Sequence, residues 1–255
     1  MARRLAQQTP SLEWVVTVRP GEGEAADPSY SDLIERGNAE RFEAAEVDPN
    51  HIKLLMYTSS TTGVPKGVLH SHNTLKRSAA NSAEARGVGE GDITLMASPV
   101  THVTGYSSLE QAFNSPIKTA LMSRWDKVAA IDFIERAGAT LTVGATPFLK
   151  ELVDEAQARR TGLSSLRQFA CGGAEVPPQL IGRAHDVLEN CRCFRVYGST
   201  EVPLVTQGFQ KTEHAQLAAE TDGRIHNYDV RIVNAEGRDV SPGEDGEILA
   251  RGPSM

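Results

Sequence analysis

The sequence contains 255 residues, of which 40% are hydrophobic, and it can bury the core of one large α/β domain or of two smaller ones. The formal net charge is -7 and no block rich in Lys and Arg occurs, so nucleic acid is not expected as a main partner. No apolar run approaches the length of a membrane span, and the first ten residues lack the apolar core of a signal peptide.

The three cysteines, Cys171, Cys191 and Cys193, do not form a recognisable framework. They are too few and too badly spaced for a set of disulfides or for a zinc site with four ligands. Cys191 and Cys193 alternate along an apparent strand, which favours ordinary reduced side chains. We therefore expect a protein of the reducing cytoplasm.

The N-terminal part begins with a predicted strand at residues 12–18, LEWVVTV. An exposed loop rich in Gly, Glu, Asp and Pro follows at residues 20–29, and a short helix is predicted at residues 30–36. Because no other unit precedes this first strand, the segment resembles the middle of a larger sheet.

A dense cluster of hydroxyl side chains follows the next apolar run. Residues 52–57 predict a buried strand, residues 57–70 read YTSSTTGVPKGVLH, and residues 71–85 predict a helix. The hydroxyls, the backbone N–H groups and Lys66 suit a loop that wraps an anionic polyphosphate, because each can donate a hydrogen bond to oxygen. The loop is not a Walker loop, since Lys66 precedes the second glycine. A solvated Ser/Thr turn would explain the hydroxyls but not the order of glycine, proline and lysine.

Strands and helices then alternate along the chain. Strands are predicted at residues 93–98, 117–122, 140–143, 166–170 and 193–197. Helices are predicted at residues 107–113, 127–137, 148–160 and 178–189. This alternation predicts an α/β fold with a largely parallel sheet flanked by helices. Ligands should gather at the carboxyl ends of the strands, where we place the phosphate loop and the turns at residues 171–175 and 197–201.

From about Asp222 the pattern changes to short alternating strands joined by turns that contain Gly and Pro. This indicates the start of a small antiparallel β subdomain. We therefore expect a central α/β part at residues 1–221 and the β subdomain at residues 222–255.

The segment YTSSTTGVPKGV closely resembles the phosphate-loop signature of the adenylate-forming enzymes, which include acyl- and aryl-CoA synthetases, luciferases and the adenylation domains of peptide synthetases. Ser60 stands where that signature usually has glycine, and a serine restricts the backbone if the loop needs a positive φ. The resemblance implies that this loop holds the phosphates of ATP through Thr58, Ser59, Ser60, Thr61, Thr62, Gly63 and Lys66.

A second motif, YGSTE, follows at the interval usual in that family. Taken alone, it is equally compatible with an ordinary helix N-cap. The resemblance implies that Glu201 coordinates Mg2+, with Thr62 as a further ligand, and that Thr200 binds the phosphate or the acyl carboxylate. Mg2+ prefers hard oxygen ligands and bridges phosphates. The resemblance also implies that the adenine packs along Val196, Tyr197 and Gly198, that Ser199 is a further ATP- or AMP-binding residue, and that the catalytic residues are Lys66, Thr200 and Glu201.

Three weaker resemblances complete the expected site. The turn that contains Gly173, Ala174 and Glu175 resembles the segment beside the adenine, although a plain strand-to-helix turn would look the same. His102 in THVTGY resembles the His-x-x-Gly element beside the acyl pocket, whereas an isolated histidine is usually structural. Residues 143–148, VGATPF, resemble the loop that lines the acyl tunnel, and packing would give the same composition. The acyl-binding candidates are His102, Gly144, Ala145 and Pro147.

The resemblance implies an ATP-dependent carboxylic acid–CoA ligase. A carboxylate oxygen attacks the α-phosphorus of ATP, and CoA then displaces AMP, so ATP, Mg2+, CoA and a medium-chain, alicyclic or aromatic acid are expected. The His-x-x-Gly element favours this function over the loading of a carrier protein, and a non-catalytic nucleotide-binding or interaction module stays open, as does a homo-oligomer. Family members extend into a mobile C-terminal domain, so we expect a central fragment with little activity alone.

Overall fold

The computed structural model describes residues 4, 7–12, 15–18, 28–37, 43–59 and 63–255. The chain divides into two compact units, Met1–Val47 and Asp48–Met255. In the first unit, helix α1 (Tyr30–Arg36) confirms the predicted helix and starts at a capping box. The Ser29 hydroxyl accepts a hydrogen bond from the Asp32 N–H, and the Asp32 carboxylate accepts one from the Ser29 N–H.

The strand predicted at residues 12–18 is not present as a continuous strand. Residues 13 and 14 lie outside the described residues, as do residues 20–27 of the predicted loop. The described part shows an isolated parallel bridge between Thr17 and Ser29. The larger sheet expected around this segment is therefore not seen in the described ranges.

The second unit begins with a β-hairpin. Strand β1 (Ile52–Thr58) pairs antiparallel with β2 (Lys66–Ser71), and helix α2 (His72–Arg86) follows at once. The predicted strand and helix are confirmed, but β2 was not predicted. The prediction that β1 is buried was wrong, since Tyr57 is 68% exposed. Among the described residues the hairpin forms a sheet of two strands, and its apolar residues Ile52, Leu55, Tyr57 and Leu69 are exposed.

Five short strands form the parallel sheet at the centre of this unit, in the order β4-β3-β5-β6-β7. They are β3 (Ile93–Met96), β4 (Lys118–Leu121), β5 (Leu141–Gly144), β6 (Gln168–Cys171) and β7 (Arg192–Arg195). Every residue of β6 is buried, as expected for an inner strand of a sheet that is flanked by helices. The α/β fold and the parallel sheet predicted from the alternation are thus confirmed.

The helices between these strands have clear start and stop signals. They are α3 (Val103–Asn114), α4 (Lys127–Ala137), α5 (Thr146–Arg159) and α6 (Pro178–Val187). The Asp126 carboxylate caps α4 by accepting from the Ala129 N–H, and Gly138 ends it in the left-handed conformation. Helix α3 begins four residues before its predicted start, because the His102 ring serves as its N-cap.

Alternate residues of the sheet contribute to two apolar clusters. Leu95 and Phe169 belong to the large core, in which Ile131 and Leu149 pack from α4 and α5. Phe194 and its neighbours on the other face belong to a smaller cluster. Because successive side chains of a strand point to opposite faces, this division shows that the sheet is covered on both sides.

The C-terminal part contains small antiparallel sheets, as predicted. Strands β8 (Thr206–Gln207) and β9 (Arg224–Ile225) form one pair, and β10 (Asp229–Val233) and β11 (Glu247–Arg251) form another. A 3-10 turn at Thr212–His214 and helix α7 (Ala215–Glu220) lie between β8 and β9 and were not predicted. The boundary proposed at residue 222 stays a prediction.

Two further expectations concern the state of the cysteines and membrane-spanning helices. The three cysteines are free and buried. Among the described residues there is no helix whose length and apolar character would let it cross a membrane.

Candidate active site

A cavity of about 210 Å³ lies between helices α2 and α3 and the ends of strands β5 to β7. Helix α2 lines it with Ser78, Ser82 and Arg86, which are four residues apart and therefore share one face. Helix α3 lines it with Thr104 and Gln111 among others. The rise of a helix gives the cavity a length of about 12 Å along α2, from the level of Ser78 to that of Arg86.

Two of the predicted acyl-binding residues line this cavity. His102 and Gly144 are both part of its wall. The Nδ1 atom of His102 accepts a hydrogen bond from the Thr104 N–H at 3.2 Å, so the proton of the neutral ring is on Nε2. The histidine is thus both a helix cap and a cavity residue.

The other two acyl candidates lie beside the cavity. Ala145 is the N-cap of α5 and Pro147 belongs to its first turn, and neither is part of the cavity wall. A Cβ on Gly144 would come within 2.8 Å of the Phe148 ring, which in turn stacks on Trp125. The packing explanation for this loop therefore applies to Gly144, and the acyl-binding role stays a prediction.

The YGSTE motif forms a closed turn. The Ser199 N–H donates to the Val202 carbonyl at 2.9 Å, and the Val202 N–H donates to the Ser199 hydroxyl at 3.1 Å. The alternative of an ordinary helix N-cap is wrong, because the next helical residues along the described chain are Thr212–His214. Of the residues predicted to bind here, Val196, Gly198, Ser199 and Thr200 line the cavity, and Tyr197 and Glu201 are exposed outside its wall.

One hydrogen bond joins this turn to the hairpin. The Nε2 atom of His70, a buried residue of β2, lies 2.8 Å from the Thr200 carbonyl oxygen. Because a carbonyl can only accept, the His70 ring donates the hydrogen. The two motifs that the sequence separates by more than a hundred residues are therefore neighbours in the fold.

Lys66 stands at the start of β2, at the tip of the hairpin, opposite Thr58 in the strand register. It lies about 13 Å along the strand from His70. Ser59 and Gly63 are exposed in the connecting loop, and Gly63 has a φ of 81°. Ser60, Thr61 and Thr62 lie outside the described residues. The tip thus carries an exposed lysine on the same strand as His70, which contacts the turn.

The predicted adenine segment follows β6. Gly172 and Gly173 line the cavity, whereas Ala174 and Glu175 do not. A Cβ on Gly172 would lie 2.6 Å from the Val196 carbonyl oxygen, so glycine is required where the ends of β6 and β7 approach each other. The segment is also a strand-to-helix turn that leads to α6, so its role beside the adenine stays a prediction.

A cluster of buried polar residues at the far end of the cavity was not predicted from the sequence. Arg86, Gln111 and Gln207 are all buried and line the wall there. Burial lowers the pKa of Arg86 to about 10, and the positive charge of Arg167 adds to the effect. The only sequence signal was an arginine at the end of a helix face formed by Ser78 and Ser82.

The chemistry of the predicted ligands fits a magnesium nucleotide. Glu201 and Lys66 are exposed, and their side chains have no hydrogen-bond or ion-pair partner within the described ranges. No group of three or more His, Cys, Asp or Glu that could hold a metal occurs among the described residues. Magnesium does not need such a group, since it is usually bound by one or two carboxylates together with water and substrate phosphates. Glu201 meets this requirement.

Comparison with known proteins decides the family. The family model described as "AMP-binding enzyme" matches residues 2–255. The chain belongs to the AMP-binding enzyme family. The resemblance of its phosphate loop to the adenylate-forming enzymes is confirmed.

CoA ligases are among the relatives of this member of the AMP-binding enzyme family. An indoleacetate–CoA ligase of Aromatoleum aromaticum is 34% identical over 229 residues, which are 89% of this chain and 44% of the relative. A medium-chain fatty-acid–CoA ligase of Escherichia coli is 26% identical over 98% of this chain and 44% of the relative. The chain therefore spans under half the length of these two relatives.

The fold of this family member is also similar to that of a solved structure. The o-succinylbenzoate coenzyme A synthetase of Bacillus subtilis, in complex with ATP and a magnesium ion, matches with a TM-score of 0.80 and 25% identity. The match covers 94% of this chain and 50% of that protein.

Proposed function

We propose that this chain is the ATP- and acyl-binding part of a carboxylic acid–CoA ligase. The observation that carries the proposal is the hydrogen bond from His70 to the Thr200 carbonyl. It holds the hairpin with its exposed Lys66 against the turn that bears Thr200 and Glu201. We propose that the phosphates of ATP bind between this hairpin and this turn, next to the cavity that Thr200 lines.

The chain's own residues would act mainly by position and charge. Lys66 and the loop residues Thr58, Ser59 and Gly63 donate hydrogen bonds to phosphate oxygens, and we extend this role to Ser60, Thr61 and Thr62. The Thr200 hydroxyl orients the α-phosphate or the acyl carboxylate for in-line attack. Such preorganised donors lower the barrier because they need no rearrangement as charge develops.

Mg2+, when bound at Glu201 and Thr62, would neutralise phosphate charge and hold the phosphate oxygens in place. The carboxylate of Glu201 is exposed and needs no rearrangement of an ion pair to accept it.

The cavity would hold the acid. Its wall at His102 and Gly144 lies at the carboxyl ends of the strands, close to Thr200, so the reacting carboxylate would face the α-phosphate there. Ala145 and Pro147 support the wall from the first turn of α5. The glycines near residue 173, with Ala174, Glu175 and residues 196–199, would form the adenine side.

We also propose the two substrates and the cellular compartment. CoA is the second substrate, because the relatives in Aromatoleum aromaticum and Escherichia coli are CoA ligases. A small carboxylic acid is the first substrate, and we place the protein in the cytoplasm because its cysteines are free and buried. Association into a homo-oligomer is left open.

Two other functions would use the same site. A domain that loads a carrier protein would activate the acid in the same way, and the His-x-x-Gly element at His102 and the CoA ligase relatives favour CoA. A non-catalytic module would bind nucleotide without turnover. Since the chain spans 44% of its relatives, we propose that the 255 residues alone bind substrates but turn over little.

Calorimetric titration with ATP and Mg2+ tests the proposal. We expect binding by the 255-residue chain, and at least about a tenfold loss of affinity in Lys66→Ala, since one charge-assisted hydrogen bond contributes about 1.5–3 kcal/mol. Lys211→Ala is the matched control, because Lys211 is also exposed but lies away from the cavity wall. If ATP with Mg2+ produces neither heat nor a thermal shift, the result would favour a non-catalytic protein that does not bind nucleotide. Robust pyrophosphate release with assorted acids would contradict the proposed low turnover.

A further inference from the structure

The deep end of the cavity carries a buried cation with no paired anion. Arg86 is 8% exposed. Its Nη2 atom donates to the Gln111 side-chain oxygen at 3.1 Å and to the Ser82 hydroxyl at 2.9 Å. These neutral acceptors satisfy hydrogens but supply no negative charge. A buried charge without a counter-charge is costly unless a ligand provides one.

The nearby carboxylates are already engaged. Asp92 accepts two hydrogen bonds from Arg167, at 2.9 and 2.6 Å. Glu110, the neighbour of Gln111 in α3, forms an ion pair with Lys53 at 2.5 Å. Among the described residues no ion pair involves Arg86, so the deep end retains a net positive charge.

Two buried amides at the same end lack partners. The Nε2 atom of Gln111 and the Oε1 atom of Gln207 are buried and have no hydrogen-bond partner within the described part of the chain. Both side chains line the cavity, but the Gln207 oxygen can only accept and therefore does not contribute to binding an anion. Because the Gln111 oxygen already accepts from Arg86, its free amide is a donor. Arg86 therefore supplies a cation at this end of the cavity, and the buried Gln111 amide is an unpartnered donor beside it.

The polar end and the reacting end lie at opposite ends of the sheet. The backbone carbonyl of Arg86 accepts a hydrogen bond from the side chain of Gln168, the first residue of β6, at 2.9 Å. Gly172, which follows the last residue of β6, lines the other end of the cavity beside Thr200. A ligand that spans the cavity would place its two ends at these two polar regions, with Val143 and Ala170 between them.

We propose that the cavity selects a carboxylic acid that carries a second carboxylate at its far end, which binds Arg86 and Gln111. This inference rests on the proposed function, since it takes the end near Thr200 as the reacting end. A guanidinium with a neighbouring amide donor matches the two oxygens of a carboxylate, and a purely apolar acid would leave both groups desolvated and unpaired. The substrate class is thus a dicarboxylic acid.

The test compares matched acids on the 255-residue chain. Suberate and octanoate have the same number of carbons, and each is titrated in the presence of Mg2+ and α,β-methylene-ATP, whose methylene bridge prevents the departure of pyrophosphate and therefore adenylate formation. We expect suberate to bind at least about tenfold more tightly, because hydrogen bonds to charged groups contribute about 1.5–3 kcal/mol. Adipate with hexanoate and sebacate with decanoate show which length fits best.

Variants connect the preference to the residues. Arg86→Met removes the charge but keeps a long side chain, and it should abolish the preference for suberate. Arg86→Lys should keep part of it, and Gln111→Leu should weaken it. Arg77→Met is the matched control, because Arg77 is a half-buried arginine of the same helix, 3.6 Å from Glu84, and does not line the cavity. If Arg86→Met fails to fold in a thermal scan, Arg86→Lys and Gln111→Leu carry the comparison.

Several results would overturn the inference. The first is that suberate binds no more tightly than octanoate, or no more tightly than ω-hydroxyoctanoate. The others are that no acid binds, and that the preference for suberate remains in a folded Arg86→Met chain. Nucleotide binding is measured in the same samples. Nucleotide binding without a suberate preference overturns the dicarboxylate inference alone, whereas a suberate preference without nucleotide binding overturns the proposed function alone.

Discussion

Asp92 is a buried carboxylate that holds the end of helix α2, which bears the cavity residue Arg86. Its oxygens accept hydrogen bonds from Arg167, from the Thr140 hydroxyl at 2.7 Å and from the Gly89 N–H at 3.0 Å. Burial raises the pKa of Asp92, but these hydrogen bonds outweigh it and lower the pKa to about 2. Arg167 in turn donates to the Gly87 carbonyl at the end of α2, so this pair holds the helix terminus that bears Arg86.

The first prediction is that Asp92→Asn lowers the stability in a pH-dependent way. The folded-state pKa is depressed from 3.8 to about 2, so the contribution is complete above about pH 4 and is lost as the pH falls towards 2. We expect a loss of about 2 kcal/mol near neutral pH, measured by denaturant unfolding, and little difference from the original chain below about pH 2.

The exposed pair of Arg251 and Asp229 is the control. Its side chains are 86% and 74% exposed, and such surface pairs contribute about 0–1 kcal/mol. Asp229→Asn should therefore be nearly neutral at every pH. A similar loss in both variants would show that charge alone, and not the buried network, explains the effect.

Helix α3 explains the glycine of the His-x-x-Gly element. A Cβ on Gly105 would lie 2.1 Å from the Pro99 carbonyl oxygen, so the first turn of the helix packs directly on the backbone that precedes it. This close approach places the His102 ring at the cavity. The element is therefore built by backbone packing, whatever its part in acyl binding.

The second prediction compares two glycines inside helices. Gly105→Ala should destabilise the chain by about 1–3 kcal/mol, because the methyl group has no room. Gly182→Ala should stabilise it by about 0.5–1 kcal/mol, since a Cβ in α6 meets no atom within 4 Å and alanine is the better helix former. Both are measured by thermal and denaturant unfolding. Equal effects in the two helices would contradict the close packing at Pro99.

The hairpin depends on His70 for its attachment to the YGSTE turn. The third prediction is that His70→Phe weakens ATP binding in the presence of Mg2+ by about tenfold, because an unpaired Thr200 carbonyl costs about 1–3 kcal/mol and the hairpin is no longer held. Calorimetric titration measures the affinity, and thermal unfolding measures the stability.

His185 provides the control for this variant. Its Nε2 atom lies 2.8 Å from the Cys193 carbonyl oxygen, so His185→Phe also removes a contact between a histidine and a carbonyl, but away from the cavity. It should reduce the stability and leave nucleotide affinity unchanged. If both variants weaken nucleotide binding equally, general destabilisation and not the hairpin contact explains the loss.

These elements also show what sequence could predict. The parallel sheet was predictable because each of its strands is an apolar run bounded by turn residues and followed by a helix pattern. The exposure of β1 was not, since Leu55 and Tyr57 belong to a run that looks like a buried strand, yet both are more than half exposed. The cluster of Arg86, Gln111 and Gln207 depends on contacts between distant parts of the chain, which no local pattern records.

At the scale of the whole molecule, stability is unevenly distributed within residues 48–255. The residues of β6 and their neighbours on β5 and β7 are buried between two apolar clusters. The hairpin is a sheet of two strands with exposed apolar side chains, as is the pair of β10 and β11. Local opening should therefore be frequent in the hairpin and rare in the parallel sheet. The proposed phosphate site lies in the least protected part, where a ligand can order it.

The last prediction concerns hydrogen exchange followed by mass spectrometry. Amides of residues 168–171 should exchange slowest and those of residues 52–71 much faster, because only the former are buried on both faces. Saturating ATP with Mg2+ should slow exchange in residues 63–71 and in residues 198–205, since triphosphate contacts would join the two segments. Adenosine, which lacks phosphates, should protect the turn near residue 198 and leave the hairpin unchanged. Protection of the turn by ATP without any change in the hairpin would show that the phosphates are held elsewhere.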